Sequence, residues 1–346
     1  MLRFTLFLLS LSAALLLGTA QGEPVRTINP KVQAIAQAAL NDITPEEGVW
    51  ELVNSGMLIV DPKTGDILAM AERCIENEPS PLLSAYEPRN AFGIITAAAA
   101  VDSGAVTPEQ MISCMPFSLS AEDKICDRKY AYGAFPVWGV VAKASSPGLA
   151  RLARAAQQPR FTDYLTRFGF SGETTAPMEF VACGKGILVT PLQMTTAYAA
   201  LANKGVRLEA RLDKNAPPVA GTRVVSEESA AALLRMLESA TRADNPQPVR
   251  RGIAMRAAVP GYRIGALTSS PLREGADTTC DLSCIAVLPV DDPQFVVFTR
   301  VLARQIPSAE DGSVTPLFGG TVAAPVFRAA AEQLLQEYKL QPTEDK

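Results

Sequence analysis

Apolar and polar residues alternate early in the chain in a way that predicts two strands joined by a tight turn. Residues 57–60 and 67–71 are mostly apolar, and they flank the polar segment 61–66, which contains Pro62 and Gly65. Proline and glycine are typical turn residues because they supply the restricted or left-handed backbone angles that a chain reversal needs. The pattern therefore predicts a β-hairpin in this segment.

Helix signals follow in the middle of the chain, and strand signals return near its end. Helices are predicted over residues 90–104, 189–205, 226–242 and 323–339, and strands over 262–270, 285–290 and 294–302. Thr190 and Pro191 suit a helix start, since threonine caps free N–H groups and proline lacks one. Thr107 and Pro108 offer a further start. Because helices separate the early strands from the late ones, the order predicts an α+β fold with an antiparallel sheet.

The N-terminal segment has the pattern of an export signal. An apolar run over residues 4–17 follows Arg3, and small residues come after it. That run is shorter than a bilayer-spanning helix, which needs about 20 residues. Residues 1–22 are therefore predicted to be a signal peptide that is removed by cleavage after Gly22. The alternative is an uncleaved segment that anchors the protein to the membrane. Residues 23–47 are mixed and polar and form a lead-in. The protein is therefore expected in the periplasm or another extracytoplasmic space, and soluble after cleavage.

Composition narrows the chemistry of any functional site. The chain has 346 residues, a formal net charge of −4, a pI of about 5.2 and no histidine. An acidic chain without basic runs does not indicate nucleic-acid binding. The lack of histidine excludes Ser-His-Asp and Cys-His catalysis and any histidine-containing metal site. No metal or other cofactor is expected.

The cysteines are interpreted as structural. Export favours disulfides over redox or metal chemistry. Cys114 and Cys126 bracket a segment that suits a hairpin over residues 112–130, so they form the first candidate pair. Cys280 and Cys284 lie close together in the chain and are further disulfide candidates.

Seven segments together point to a known family. They are VDPKTGDILAMAE, YEPRNAFGIITAAAAVDSGAVTPE, VVAKASSPG, RFTDYLTRFGFSGET, CGKGILVTPLQMTTAYAALANKG, YRIGALTSSP and FGGTVAAPVFRAAAEQLL. In this order they resemble the transpeptidase domains of penicillin-binding proteins, of the monofunctional division and elongation type. The resemblance implies a fold like that of the serine β-lactamases: an antiparallel sheet packed by helices, plus a helical subdomain. The domain would cover residues 48–340 and leave 341–346 as a tail.

Three motifs, S-x-x-K, S-x-N and K-T-G, carry the chemistry of that family. The first serine is the acyl-forming nucleophile, and the lysine one helical turn later helps to remove its proton. In this chain the matching positions hold Asn90 and Gly93, then Ala144 and Ser146, then Leu267, Thr268 and Ser269. An amide forms no acyl ester, a glycine carries no base, and no serine lies three residues before any lysine in the chain. These positions are therefore predicted to be vestigial.

The leading hypothesis is a catalytically inactive homologue that acts in peptidoglycan assembly. It would be a scaffold or regulator for cell-wall synthesis or division proteins, or a weak binder of peptidoglycan stem peptides, without covalent penicillin binding. The alternative is a D,D-transpeptidase or carboxypeptidase with unconventional catalytic residues.

A residual polar cleft has four candidate residues, which are Lys143, Ser145, Thr268 and Lys185. The plainer interpretation of Lys143 and Ser145 is that they cap a helix start. The plainer interpretation of Lys185 is a solvated loop lysine. Cys183, two residues before it, is interpreted as a buried thiol or disulfide partner rather than a nucleophile.

Overall fold

An antiparallel sheet lies at the centre of the protein. The computed structural model describes residues 25–74, 79–127, 133–170, 174–216, 220–242, 252–270 and 278–343. In chain order the strands are β1 Trp50–Val60, β2 Ile67–Cys74, β3 Met111–Ser113, β4 Phe117–Ser118, β5 Lys124–Ile125, β6 Ala134–Pro136, β7 Val206–Arg207, β8 Thr222–Arg223, β9 Gly265–Ser269, β10 Thr279–Leu288 and β11 Phe295–Gln305. Within the described residues the main sheet has five strands in the order β2-β1-β11-β10-β9.

This sheet joins the first and last strands of the chain. β1 pairs antiparallel with both β2 and β11, and Val60 lies opposite Val296. The consecutive residues Leu58, Ile59 and Val60 are all buried. Since successive side chains of a strand point to opposite faces, other elements must cover both faces of the sheet. The early hairpin and the antiparallel α+β arrangement predicted from the sequence are confirmed.

Helices cover the sheet in two groups. In chain order they are α1 Pro30–Asn41, α2 Gly93–Asp102, α3 Val137–Lys143, α4 Ser146–Ala156, α5 Gln158–Arg167, α6 Met178–Val181, α7 Pro191–Ala202, α8 Glu227–Ser239 and α9 Ala323–Glu337. α1 and α9 pack against each other and against the sheet, whereas α8 contacts both α2 and α7, and α7 lies on the central strands. α4 and α5 pack on α2 and form a helical region beside the sheet. None of the helices in the described part of the chain has the length and apolar character needed to cross a membrane.

Two sequence expectations about local structure are corrected. Thr107 and Pro108 begin a turn, closed by the N–H of Gln110 on the Thr107 carbonyl, because β3 follows at once and leaves no room for a helix. The polar lead-in contains α1, which Asn29 caps by accepting from the N–H groups of Lys31 and Val32. The predicted signal segment, residues 1–22, lies outside the described residues.

The predicted disulfides are wrong. No disulfide joins any of the six cysteines, all of which lie in described segments. Cys280 and Cys284 both lie on β10, four residues apart. Strand geometry separates such residues by about 13 Å, whereas bridged cysteines have Cα atoms less than about 7 Å apart. Cys114 is buried and its thiol contacts the carbonyl of Ile112, whereas Cys126 is exposed. The hairpin that they bracket is held by the β4–β5 and β3–β6 pairs.

Candidate functional site

The turn that carries Asn90 is held in place by backbone contacts. Asn90 lies in a 3₁₀ turn, Arg89–Phe92, that leads directly into α2. The N–H of Arg89 donates to the carbonyl of Gly184 at 3.1 Å. The buried hydroxyl of Tyr198 on α7 donates to the carbonyl of Ala91 at 2.7 Å. The amide is therefore presented at the head of a helix on a rigid support.

Asn90 faces a cleft of about 260 Å³. Its lining includes Asn90, Asp127, Lys143, Ser146, Lys185 and Ser270. These residues come from the 3₁₀ turn, the end of β5, the α3–α4 junction, the loop after α6 and the end of β9. The structure thus places Asn90 of the first motif position and Ser146 of the second beside one cavity.

Gly93 lies against Leu149 of α4. A Cβ atom added to Gly93 would lie 2.9 Å from Leu149 Cδ1 and 3.1 Å from its Cδ2. Carbon atoms in packed interiors are about 3.5–4.0 Å apart, so any larger residue at this position requires Leu149 to move. Leu149 is fully buried. Its side chain occupies the space that a side chain at position 93 would enter.

The α3–α4 junction is organised around Asp127, which the sequence analysis did not identify. The Ser145 hydroxyl donates to Asp127 Oδ2 at 2.7 Å, and the N–H of Ser146 donates to Oδ1 at 2.7 Å. Ser145 is fully buried and also caps α4 by accepting from the N–H of Gly148. The capping interpretation of Ser145 is confirmed, and Ser145 does not line the cleft. An aspartate without a motif around it gives no signal in the sequence.

Burial raises the pKa of the Asp127 carboxyl, and the two hydrogen bonds from Ser145 and Ser146 oppose that rise. Ala144, between Lys143 and these serines, adopts left-handed backbone angles with φ of 48°. This bend reverses the chain between α3 and α4 and turns the two serine residues toward Asp127. Lys143 ends α3 and lines the cleft, where burial lowers the pKa of its ammonium group.

The third motif position is separated from the cleft. Leu267, Thr268 and Ser269 are all buried, and only the next residue, Ser270, reaches the cavity. The Thr268 hydroxyl donates to the carbonyl of Ile253 at 3.3 Å. Thr268 is therefore not a residue of the cleft, which corrects the sequence expectation.

The end of β9 is covered by the glycine pair 319–320. A Cβ atom on Gly319 would lie 2.3 Å from the carbonyl oxygen of Ser269, and the N–H of Gly319 donates to Ser270 Oγ at 2.9 Å. Only a glycine allows so close an approach of two backbones. The end of the strand that carries the K-T-G position is thus packed against another segment.

Lys185 lies in the loop after α6, lines the cleft and is half-buried. Its ammonium lies 4.8 Å from the centre of the Phe180 ring, which stabilises the cation by a cation–π contact.

Cys183 has the properties of a structural thiol. It donates to the carbonyls of Ser146 and Glu179 at 3.3 and 3.2 Å, and burial raises its pKa to about 12. A thiol is a nucleophile only as the thiolate, so Cys183 is unsuited to attack at neutral pH. Among the described residues there is no cluster of three or more metal-ligating side chains.

Comparison with known proteins gives consistent matches. The family model described as penicillin binding protein transpeptidase domain matches residues 56–332. Penicillin-binding protein PbpB of Mycolicibacterium smegmatis is 29% identical over 339 residues, which cover 83% of this chain and 51% of that protein. Peptidoglycan D,D-transpeptidase FtsI of Escherichia coli is 24% identical over 353 residues, which cover 91% of this chain and 56% of that protein. The chain spans about half the length of these relatives.

A solved structure agrees with these sequence matches at the level of the fold. The apo transpeptidase domain of Burkholderia pseudomallei penicillin-binding protein 3 superposes with a TM-score of 0.76 at 24% identity, covering 94% of this chain and all of that chain.

Proposed function

Because the chain belongs to the penicillin-binding protein transpeptidase family, we propose that it is a non-catalytic member that acts in peptidoglycan assembly. Its role is that of a scaffold or regulator for cell-wall synthesis or division proteins outside the cytoplasm. The predicted export signal and the cell-wall function of its relatives support this assignment.

One observation carries the proposal: the Leu149 side chain fills the space beside Gly93. Asn90 at the nucleophile position supports the same conclusion. A serine enzyme of this family needs a nucleophile, a base and a carboxylate anchor. If each contributes about 2–4 kcal/mol to lowering the barrier, then Asn90, Gly93 and Leu267 together remove most of the rate enhancement. Because Leu149 lies so close to Gly93, a lysine substituted at this position finds no free space, so one substitution does not restore the base.

The covered end of β9 favours scaffolding over binding of an extended peptide. A ligand strand that pairs with a sheet edge needs unpaired N–H and C=O groups along it. Here all five residues of β9 are buried, and Gly319 packs on Ser269. Weak binding of a peptidoglycan peptide would have to use the small cleft instead of the strand.

A second candidate function is a D,D-transpeptidase or carboxypeptidase that uses Ser146. Ser146 and Lys143 both line the cleft, and burial lowers the pKa of Lys143 toward that of a usable base. Ser145, the other candidate serine, is fully buried and bound to Asp127.

Release of D-alanine from a peptide ending in D-Ala-D-Ala separates the two functions. The non-catalytic role predicts no release above the uncatalysed rate, for the wild type and for Ser146→Ala alike. Release by the wild type that Ser146→Ala and Lys143→Gln abolish would establish the enzyme instead. Ser313→Ala, in an exposed loop far along the chain, is the matched control.

A further inference from the structure

A second cavity, larger than the cleft beside Asn90, lies between the end of α1, the start of β1 and the first turns of α9. It measures about 600 Å³, within the range of about 300–1,000 Å³ that is typical of binding pockets. The segment 315–322 borders both cavities, since Leu317 and Val322 line this one and Phe318 lines the cleft. We call the second cavity the α1–α9 groove.

Apolar side chains form most of the walls of the α1–α9 groove. Ile43 and Trp50 are buried, whereas Leu317 and Val322 are only half-buried. Ile306 is 37% exposed, and its N–H donates to the carbonyl of Val49, another residue of the wall, at 2.8 Å. A ligand that covers this apolar surface removes it from water, which favours binding.

The rim of the groove carries an excess of negative charge. Asp42 and Glu46 lie in the connection between α1 and β1, and both side chains are exposed. Neither carboxylate has an ion pair or hydrogen bond to any part of the chain that the structure describes. Arg256, in the 3₁₀ turn Met255–Ala257, is the cation of the described lining. Two carboxylates against one guanidinium favour a ligand with a cationic group.

Unpaired backbone groups favour a peptide over other apolar ligands. Residues 314–318 form neither a helix nor a strand. Among the described residues, the N–H and C=O of Leu317 have no hydrogen-bond partner. An extended peptide forms main-chain hydrogen bonds with such a segment and places alternate side chains in the pockets beside it. The alkyl chain of a lipid provides no partner for these groups.

We propose that the α1–α9 groove is a docking site for an extended segment of a partner protein, in which apolar residues are followed by basic ones. The apolar side chains cover Trp50, Leu317 and Val322, and the basic side chains pair with Asp42 and Glu46. This docking site rests on the proposed scaffold role and specifies the chemistry of the partner.

Tryptophan fluorescence of the full chain tests this site. The chain has two tryptophans, so Trp138→Phe leaves Trp50 as the reporter of the groove. The probes are synthetic pentapeptides with blocked ends, in which leucine, isoleucine, valine or phenylalanine fills the first three positions and two lysines follow. A matched set ends in two glutamates. Lysine peptides are expected to change the Trp50 fluorescence saturably, and their glutamate counterparts are expected to bind at least about tenfold more weakly.

Two further variants separate the contributions of charge and shape. Asp42→Asn combined with Glu46→Gln is expected to remove the preference for lysine peptides. Glu109→Gln combined with Glu122→Gln is the matched control, because it removes two exposed carboxylates that do not line the groove. Ala329→Phe places a ring in the groove and is expected to weaken binding of every peptide.

The proposal is overturned if no lysine peptide binds saturably, if the glutamate peptides bind as tightly, or if the Asp42 and Glu46 substitutions leave the preference unchanged. A change of Trp50 fluorescence with protein concentration alone would identify a second copy of the chain as the occupant. A saturable response to octylamine and to no peptide would identify an alkyl chain. Either result also overturns the peptide site.

Circular dichroism checks that the variants fold. If Trp138→Phe does not fold, calorimetric titration of the wild type with the two peptide sets gives the same comparison. Absence of peptide binding leaves penicillin labelling and release of D-alanine unaffected, so this proposal and the non-catalytic role fail separately.

Discussion

At the scale of single residues, Gly93 and Leu149 are complementary. A glycine at the first position of α2 leaves a space, and the Leu149 side chain fills it to within 2.9 Å of where a Cβ would lie. A lysine in that position would need four more side-chain carbons and an ammonium in the same buried space. The packing of Leu149 therefore leaves no room for a lysine side chain at position 93.

Gly93→Lys is expected to lower the free energy of unfolding by about 1–3 kcal/mol, because overpacking a filled core forces side chains from their rotamers. In a Leu149→Ala background the same substitution should cost less, since the alanine leaves room for the lysine stem. Urea denaturation of the four proteins of this cycle measures the coupling. If Gly93→Lys lowers the free energy of unfolding equally in both backgrounds, Leu149 does not occupy the space that a lysine at position 93 would need.

Asn90→Ser is expected to give no covalent penicillin adduct. The 3₁₀ turn would present the new hydroxyl at the position of the Asn90 amide. However, Gly93 offers no base and Leu267 offers no carboxylate anchor. Intact-protein mass spectrometry after incubation with a penicillin detects an adduct directly. A mass increase equal to one penicillin would show that position 90 alone controls acylation.

Asp127 gives the stability a pH dependence of known sign. Its pKa in the folded protein is raised above the ordinary value of 3.8, so the folded state binds the proton more tightly than the unfolded state does. Stability contributed by this group therefore falls as the pH rises from 3.8 through the raised pKa. Below 3.8 the carboxyl is protonated in both states, and this contribution is fully present.

Asp127→Asn removes that dependence while its amide still offers an oxygen and two donors to Ser145 and Ser146. Above the raised pKa the variant is expected to be at least as stable as the wild type, and the two should converge as the pH falls. Asp127→Ala should instead lose about 1–3 kcal/mol, because the buried serine and amide groups lose their partner. Denaturation midpoints across acidic to neutral pH give the comparison. An advantage of the wild type that grows with pH would contradict the raised pKa.

At the scale of elements, Arg300 of β11 connects the sheet to the segment that leads to Asn90. Its guanidinium forms a bidentate pair with Asp281 of β10, at 2.8 and 2.6 Å, and donates to the carbonyls of Pro81 and Ser84 at 2.9 Å. It also lies 4.6 Å from the centre of the Tyr86 ring. One side chain of the central sheet thus makes several contacts with the loop before the 3₁₀ turn.

Arg300→Ala is expected to lower the free energy of unfolding by about 3–5 kcal/mol, the usual cost of removing one partner of a buried ion pair. Arg304→Ala on the same strand is the control. Arg304 pairs with Glu51, but its side chain is 48% exposed, so its loss should cost less than about 1 kcal/mol. Similar losses for the two variants in chemical denaturation would show that Arg300 has no special role.

The elements were largely predictable, and the contacts between them were not. Thr190 caps α7, as its position before Pro191 predicts, because a capping box is a local pattern. Thr107 and Pro108 carry the same kind of local signal, but pairing of β3 with β6 overrides it. α1 was missed although its buried residues Val32, Ala36, Ala39 and Leu40 recur at helical spacing, because the segment was interpreted from its mixed composition and not from this period.

The same limit applies to the site. Asn90 and Gly93 were identified because a family motif specifies their spacing. Leu149 and Asp127 have no such motif, and they reach the site only through the packing of α4 and the end of β5. Thr268 kept its motif position but lies outside the cleft, since the cover over β9 is formed by residues far along the chain.

At the scale of the whole molecule, the chain has the fold of the penicillin-binding protein transpeptidase domain, while three motif positions hold Asn90, Gly93 and Leu267. The sheet joins β1 and β2 to the last strands of the chain, and the helices cover both faces. The predicted Cys280–Cys284 disulfide is absent because an extended strand separates residues four apart by about 13 Å. In the proposed non-catalytic role, this fold presents surfaces to partner proteins instead of processing a peptide.

Covalent labelling of the wild-type chain by a fluorescent penicillin tests the central claim most directly. The chain should be incubated beside an active transpeptidase of the same family, denatured and examined for covalently bound dye. Absence of a labelled band from this chain, with a strong band from the active enzyme, is the predicted result. A labelled band that excess unlabelled penicillin prevents would show that the protein acylates, and would contradict the non-catalytic role.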